Sequence, residues 1–122
     1  MSKAIVYDKA LQFSVRIVKL YKYLKEEKKE YIISKQIMRS GTSIGANIAE
    51  ASGGQSKRDF ISKIQISLKE ANETKYWMEL LLKTDYIDKF QYENLKADAD
   101  EIQKLLTSIL KTTKKNLKEK EH

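Results

Sequence analysis

The 122-residue sequence predicts an all-α fold, most simply an antiparallel up-down-up-down four-helix bundle that oligomerises. Three observations carry that reading. There is no proline, and the only glycines are Gly41, Gly45, Gly53 and Gly54, whereas an all-β chain needs many turn residues. Apolar residues recur at spacings of 3 and 4, the period of one helix face. Charged residues make up 34% of the chain and hydrophobic residues 41%, a mixture that suits amphipathic helices better than a disordered chain. The length allows one domain with one core, and no internal repeat is visible.

The first helix is predicted over about 8–26. Phe13, Ile17, Leu20 and Leu24 form one stripe, with Leu11, Val15 and Val18 beside it, an apolar face wide enough for more than one neighbour. The charged run from Lys25 to Glu30 reads as a solvated connection. The second helix, about 34–51, has Ser34 as its N-cap and ends at Ser52-Gly53-Gly54-Gln55, whose glycines supply a left-handed C-terminal position. Ser56-Lys57-Arg58-Asp59 is a capping box for the third helix, about 56–83. Its inner face is read as Phe60, Ile64, Leu68, Ala71, Met78 and Leu82, with Lys75 interrupting the stripe and its ammonium at the core edge. Asp88-Lys89-Phe90-Gln91 is a second capping box, opening a fourth helix over about 88–113. There Tyr92, Leu95, Ala99, Ile102, Leu106 and Ile109 alternate 3, 4, 3, 4, 3. The lysine-rich tail past Leu110 is expected to fray or extend into solvent, and no function is attached to His122.

The second helix carries the most unusual composition. Ile37, Gly41, Ile44 and Ile48 share one face, and Gly41, Gly45 and Ala49 run down its flank, leaving almost no side chain between this backbone and its neighbour. Two interior glycines cost about 1 kcal/mol each relative to alanine, so a close-packing or assembly reason is expected. On the far side lie Gln36, Arg39, Ser43, Asn47 and Glu50. An antiparallel hairpin turning near residues 53 and 54 sets Arg39 level with Glu70, and Glu50 near Lys57 and Arg58. Arg39, Ser43, Asn47, Glu50 and Glu70 are read as a structural polar network in preference to a ligand groove or subunit contact. If buried, losing one partner of such a pair costs about 3–5 kcal/mol.

Enzyme chemistry finds little support. There is no cysteine, and the single histidine is the last residue, so the Glu-x-x-His di-metal pattern is absent and nothing resembles a nucleophile with its base. Glu70 with Glu73 and Asp98 with Glu101 have spacings common on solvated helix faces. The expectation is no catalytic residue, no metal and no cofactor. The absence of a long apolar run and of a signal-like N-terminus predicts a cytoplasmic protein with no membrane partner.

A net charge of +7 and a pI near 9.4 favour a polyanionic partner. Candidate nucleic-acid-binding residues are Arg16, Lys19 and Lys22 on the first helix, Lys57, Arg58 and Lys63 on the third, and Lys111, Lys114, Lys115 and Lys118 in the tail. Solubilising lysines explain the same pattern equally well.

The stretch Gln36-Ile37-Met38-Arg39-Ser40, followed by Ser43-Ile44-Gly45-Ala46-Asn47-Ile48-Ala49-Glu50-Ala51, resembles the signature of the four helix bundle protein family. That family is also called the 23S rRNA intervening-sequence protein family. It is similar to the accessory variability proteins of diversity-generating retroelements. Phe60 and Ile66-Ser67-Leu68-Lys69-Glu70-Ala71 match a looser second block, and Ala51-Ser52 departs from the glycine that many members carry after the glutamate. The resemblance implies a homopentamer with a central pore. It also implies RNA or DNA as partner, and, for retroelement members, a reverse transcriptase. Arg39, Ser43, Asn47, Glu50 and Glu70 become family-typical architectural positions. The leading expectation is a non-enzymatic oligomer binding structured RNA. The alternative is a protein–protein adaptor with no nucleic-acid role.

Overall fold

Helical spacing carries α1 further at its start and α4 further at its end than predicted, while α2 and α3 match the predicted bounds to within one residue at each end. A computed structural model describes residues 3–53 and 56–121, and these form α1 (Lys3–Glu26), α2 (Ile33–Ser52), α3 (Lys57–Lys83) and α4 (Lys89–Glu121). Gly54, Gln55 and His122 lie outside the described residues. Each helix packs on its two ring neighbours, α1 on α2 and α4, α3 on α2 and α4, and the backbones of the diagonal pairs come no closer than 8 Å between Cα atoms among the described residues. Cross-helix contacts such as Ser67 to Ile44, Lys75 to Asp100 and Arg16 to Asp98 run in opposed register, so the bundle is up-down-up-down and all-α.

Helix α1 begins near residue 3 and not 8, because Val6 and Ala10 continue the buried stripe of Phe13, Ile17, Leu20 and Leu24. Fully burying one such large side chain contributes about 1.5–3 kcal/mol, enough to hold an extra turn. Helix α4 continues to Glu121 instead of fraying after residue 113, although its last turns are exposed. Strong helix formers and lysines near a helix C-terminus, where they complement the dipole, account for this.

The inner face of α3 is rotated from the predicted one. Phe60, Ile64, Ser67, Ala71, Thr74, Met78 and Leu81 are buried, while Leu68 and Leu82 are half-buried on the flank. Small hydroxyl residues can occupy this seam because the partners on α2 are also small. Ser67 Oγ donates to the Ile44 carbonyl at 2.8 Å. Thr74 Oγ1 bonds the Ser40 hydroxyl at 2.9 Å and its own helix at Glu70 O at 2.7 Å. Lys75 therefore sits beside the stripe and reaches out to Asp100 Oδ1 at 2.6 Å and Gln103 Oε1 at 2.9 Å.

Two helix ends differ from expectation. Ser34 is not the N-cap of α2 but lies buried in its first turn, its hydroxyl donating to Glu30 O at 2.9 Å. The cap is the buried carboxylate of Glu30, which accepts from the backbone N–H of Ile32, Ile33 and Ser34 at 3.1, 3.0 and 2.6 Å. An anion at the positive end of a helix, satisfying orphan donors, overrides the solvated reading of the charged run. Gly53 has φ −94°, so it supplies no left-handed turn. Among the described residues the left-handed positions are Lys29 at φ 54° and Asp85 at φ 65°, each followed by a backbone N–H that closes onto the preceding helix. The second capping box forms in full, Asp88 and Gln91 exchanging bonds in both directions, and in the first Ser56 Oγ caps α3 by accepting from Asp59 N.

Candidate nucleic-acid interface

The polar stripe of α2 turns mostly back on its own helix. Ser43 Oγ donates to Arg39 O at 2.6 Å, and Asn47 Nδ2 donates to Ser43 O at 2.8 Å. Arg39 pairs with Glu73 and approaches Glu70 at 3.5 Å, while Trp77 Nε1 donates to Glu73 at 2.9 Å. Glu50 takes the ammonium of Lys63 at 2.8 Å. These residues do not form a buried network. Arg39 is 49% exposed and Glu50 59%, because the stripe lies along the outer edge of the α2–α3 seam. The polar groups inside the seam are Ser40, Ser67 and Thr74, which the sequence reading overlooked. Their signal was positional: each falls where the 3-and-4 period calls for an apolar residue.

The three small residues of α2 also divide. A methyl group on Gly41 would sit 2.8 and 2.9 Å from the Cγ atoms of Ile17, so close approach of α1 requires glycine there. On Gly45 it would meet Ala10 Cβ and Ser14 Oγ at an ordinary 3.5 Å. Ala49 is exposed, and together with Gly45 and Ala46 it lines a dent of about 180 Å³ against Tyr7, Leu11 and Ser14 of α1. Beside that dent the second apolar stripe of α1 faces outward, with Leu11 50% and Val15 49% exposed.

Both carboxylate pairs are engaged by cations. Glu70 and Glu73 face Arg39, while Asp98 pairs with Arg16 and Glu101 with Lys9 at 3.2 Å. Asp100 is held between Lys75 and Lys96, at 2.6 and 2.9 Å. Hydrogen bonds from Lys75 and then Lys96 hold its carboxyl below the ordinary aspartate range, and the bond to Asp100 raises Lys96 in turn. Every carboxylate in the middle of α4 is thus matched to a cation.

Beyond that point the helix changes character. From Ile102 to Lys118 it carries no Asp or Glu. Lys104, Lys111, Lys114, Lys115 and Lys118 are exposed and form no ion pair among the described residues. Lys104, Ser108, Lys111, Lys115 and Lys118 follow spacings of 4, 3, 4 and 3, so they share one face that runs about 21 Å at 1.5 Å per residue. Of the other basic candidates, Arg16 and Lys63 are occupied in ion pairs. Lys57 and Arg58 are exposed at the end of the bundle that holds the α4 lysines, whereas Lys19 and Lys22 lie toward the other end. Lys104 was absent from the sequence-based set because one lysine inside an amphipathic period reads as solvation.

No helix among the described residues is long and apolar enough to cross a membrane. Among curated proteins nothing matches the chain. A 1.70 Å crystal structure of a protein of unknown function from the S23 ribosomal protein family of Bacteroides thetaiotaomicron is similar at 60% identity, with a TM-score of 0.90. The match covers 91% of this chain and 99% of that one. The family model described as 23S rRNA-intervening sequence protein matches residues 2–108, which takes in α1, α2, α3 and α4 as far as Ser108, and stops short of Lys111. A match of that extent, with a shared four-helix fold, places this chain in the 23S rRNA-intervening sequence protein family.

Proposed function

We propose that the protein is a non-enzymatic homo-oligomer that binds nucleic acid, foremost structured RNA, along the lysine face of α4. The observation that carries the reading is the carboxylate-free face from Lys104 to Lys118. An exposed row of ammonium groups lacking protein partners displaces counterions from a phosphate backbone, and that release drives sequence-independent binding. The family name refers to intervening sequences of 23S rRNA, in keeping with an RNA ligand. Self-association is supported by the outward stripe of Leu11 and Val15 beside the dent at Gly45, Ala46 and Ala49. A pentamer, the assembly implied by the family resemblance, repeats the lysine face around a ring, and avidity then multiplies weak contacts.

The test is affinity for a structured RNA across a salt series. Each lysine that no longer neutralises a phosphate lowers the log–log slope by about 0.7–0.9, so K111A/K115A should flatten it by roughly 1.5. Absence of binding at low salt, or affinity indifferent to salt, rejects the nucleic-acid reading. A light-scattering mass equal to one 14.2 kDa chain rejects self-association.

A further inference from the structure

At the other end of α4, where its first turns meet the second half of α1, lies a groove of about 420 Å³. That volume is within the range of about 300–1,000 Å³ typical of small-ligand pockets. One wall is Phe90, left 76% exposed, and the facing wall is Tyr23. The largely buried Leu20 and Leu95 give the groove an apolar floor. The ammonium of Lys28 stands 5.9 Å from the Tyr23 ring centroid. Lys19 lines the groove itself, is exposed and has no ion pair among the described residues.

Two amides at the groove are held so that they present donors. Asn94 Oδ1 accepts from Arg16 at 3.1 Å, and Gln91 Oε1 accepts from the Asp88 N–H at 2.9 Å. Each carbonyl is engaged, which leaves both NH₂ groups for a ligand. The second nitrogen of Arg16 is spent on Asp98, so Arg16 acts here as a brace for Asn94.

An aromatic face, amide donors and unpaired ammonium groups around an apolar floor are what an unpaired nucleotide needs. The base stacks, its carbonyl oxygens accept, and the phosphate meets lysine. Resting on the nucleic-acid reading above, we infer that this groove takes an unpaired base of an RNA while the lysine face of α4 holds an adjoining stem. Asn94 and Lys111 are about 26 Å apart along the helix at 1.5 Å per residue, and the intervening Asp98, Asp100 and Glu101 are all neutralised by ion pairs. The ligand class is therefore a stem–loop, with the stem read by charge and the loop by stacking.

The experiment compares an RNA hairpin with a blunt duplex of the same stem, against wild type, Phe90→Ala and K111A/K115A. Removing one stacking partner is expected to weaken hairpin binding by about 5- to 150-fold. Duplex affinity stays at the wild-type value. Phe90→Trp retains hairpin binding, and a 2-aminopurine placed in the loop is quenched by wild type but not by Phe90→Ala. K111A/K115A weakens both ligands. If Phe90→Ala leaves the hairpin unaffected, or lowers hairpin and duplex alike, the groove inference falls while the lysine-face reading stands. If it instead disrupts self-association with hairpin binding intact, the groove is a contact between copies and the inference also falls. Wild type that binds neither ligand overturns both. Because Phe90 is exposed, an unchanged melting curve for Phe90→Ala is expected and confirms that the comparison is between folded proteins.

Discussion

Substituting alanine at Gly41 and, separately, at Gly45 places the same methyl group on the same helix in two different environments. Helix propensity favours both changes by up to about 1 kcal/mol, and this gain is common to the two variants. At Gly45 the new Cβ meets its neighbours at 3.5 Å, so the gain survives. At Gly41 it lands 2.8 Å from Cγ1 and 2.9 Å from Cγ2 of Ile17, a side chain with no exposure. Those atoms branch from Cβ, and the rotamer of isoleucine in a helix is stiff, so the side chain cannot swing aside. Either α1 and α2 separate or Ile17 leaves its rotamer, and overpacking of this kind costs about 1–3 kcal/mol. Since the propensity gain cancels between the variants, that cost is the expected gap between Gly45→Ala and Gly41→Ala in guanidinium unfolding. Ile17→Ala should rescue Gly41→Ala in part, giving a coupling energy in the double-mutant cycle. Unfolding should be followed at several protein concentrations, so that any effect of Gly45→Ala on self-association appears as concentration dependence. Equal stabilities for the two variants would show that α1 and α2 do not meet at Gly41 as described.

Three further outcomes are expected. Glu30→Ala leaves the backbone N–H groups of Ile32, Ile33 and Ser34 without their buried acceptor, and should lower stability by about 1–3 kcal/mol in a thermal melt. Arg39→Ala removes only a solvent-exposed pair and should cost less than about 1 kcal/mol; a larger loss at high protein concentration alone would place Arg39 in a contact between copies. Asp100 has a folded pKa below its unfolded value of 3.8, so its contribution is present above that value and is lost as pH falls through the folded one. Solvent screening holds this to less than about 1 kcal/mol, seen as a steeper loss of stability below pH 4 in wild type than in Asp100→Asn.

The bundle was legible because period and capping are local properties. Tyr92, Leu95, Ala99 and Ile102 announce their face by spacing alone, and Asp88 and Gln91 cap each other across three residues. What escaped was set by tertiary context. Ser40, Ser67 and Thr74 look like surface residues until two helices with small side chains close on them, Thr74 meeting the Ser40 hydroxyl and Ser67 the Ile44 carbonyl. Glu30 looks like part of a solvated run, but its carboxylate closes over the start of α2. Arg39 faces Glu70 as its level along the hairpin implied, yet the pair lies outside the seam, because axial register fixes height along a helix and not depth. The lysines of α4 were visible as residues. Their lack of carboxylate partners became visible only once Asp98, Asp100 and Glu101 were seen engaged elsewhere.

The small residues of α2 have two opposite consequences for α1. At Gly41 the missing side chain draws the helices together, which fixes how deeply Ile17 sinks. One turn on, Gly45, Ala46 and Ala49 are too short to cover the flank of α1, and Leu11 and Val15 remain outside the core. Larger residues at Ala46 and Ala49 would have shielded that stripe within one protomer. The uncovered flank lies on the α2 side of α1, whereas Arg16 and Lys19 lie on its α4 side. Under the proposed function, a second copy seated on the flank therefore leaves the groove at Phe90 and the lysine face of α4 open. Self-association then adds binding surface instead of consuming it, and RNA affinity should rise with oligomer formation and fall when Leu11 and Val15 are made polar.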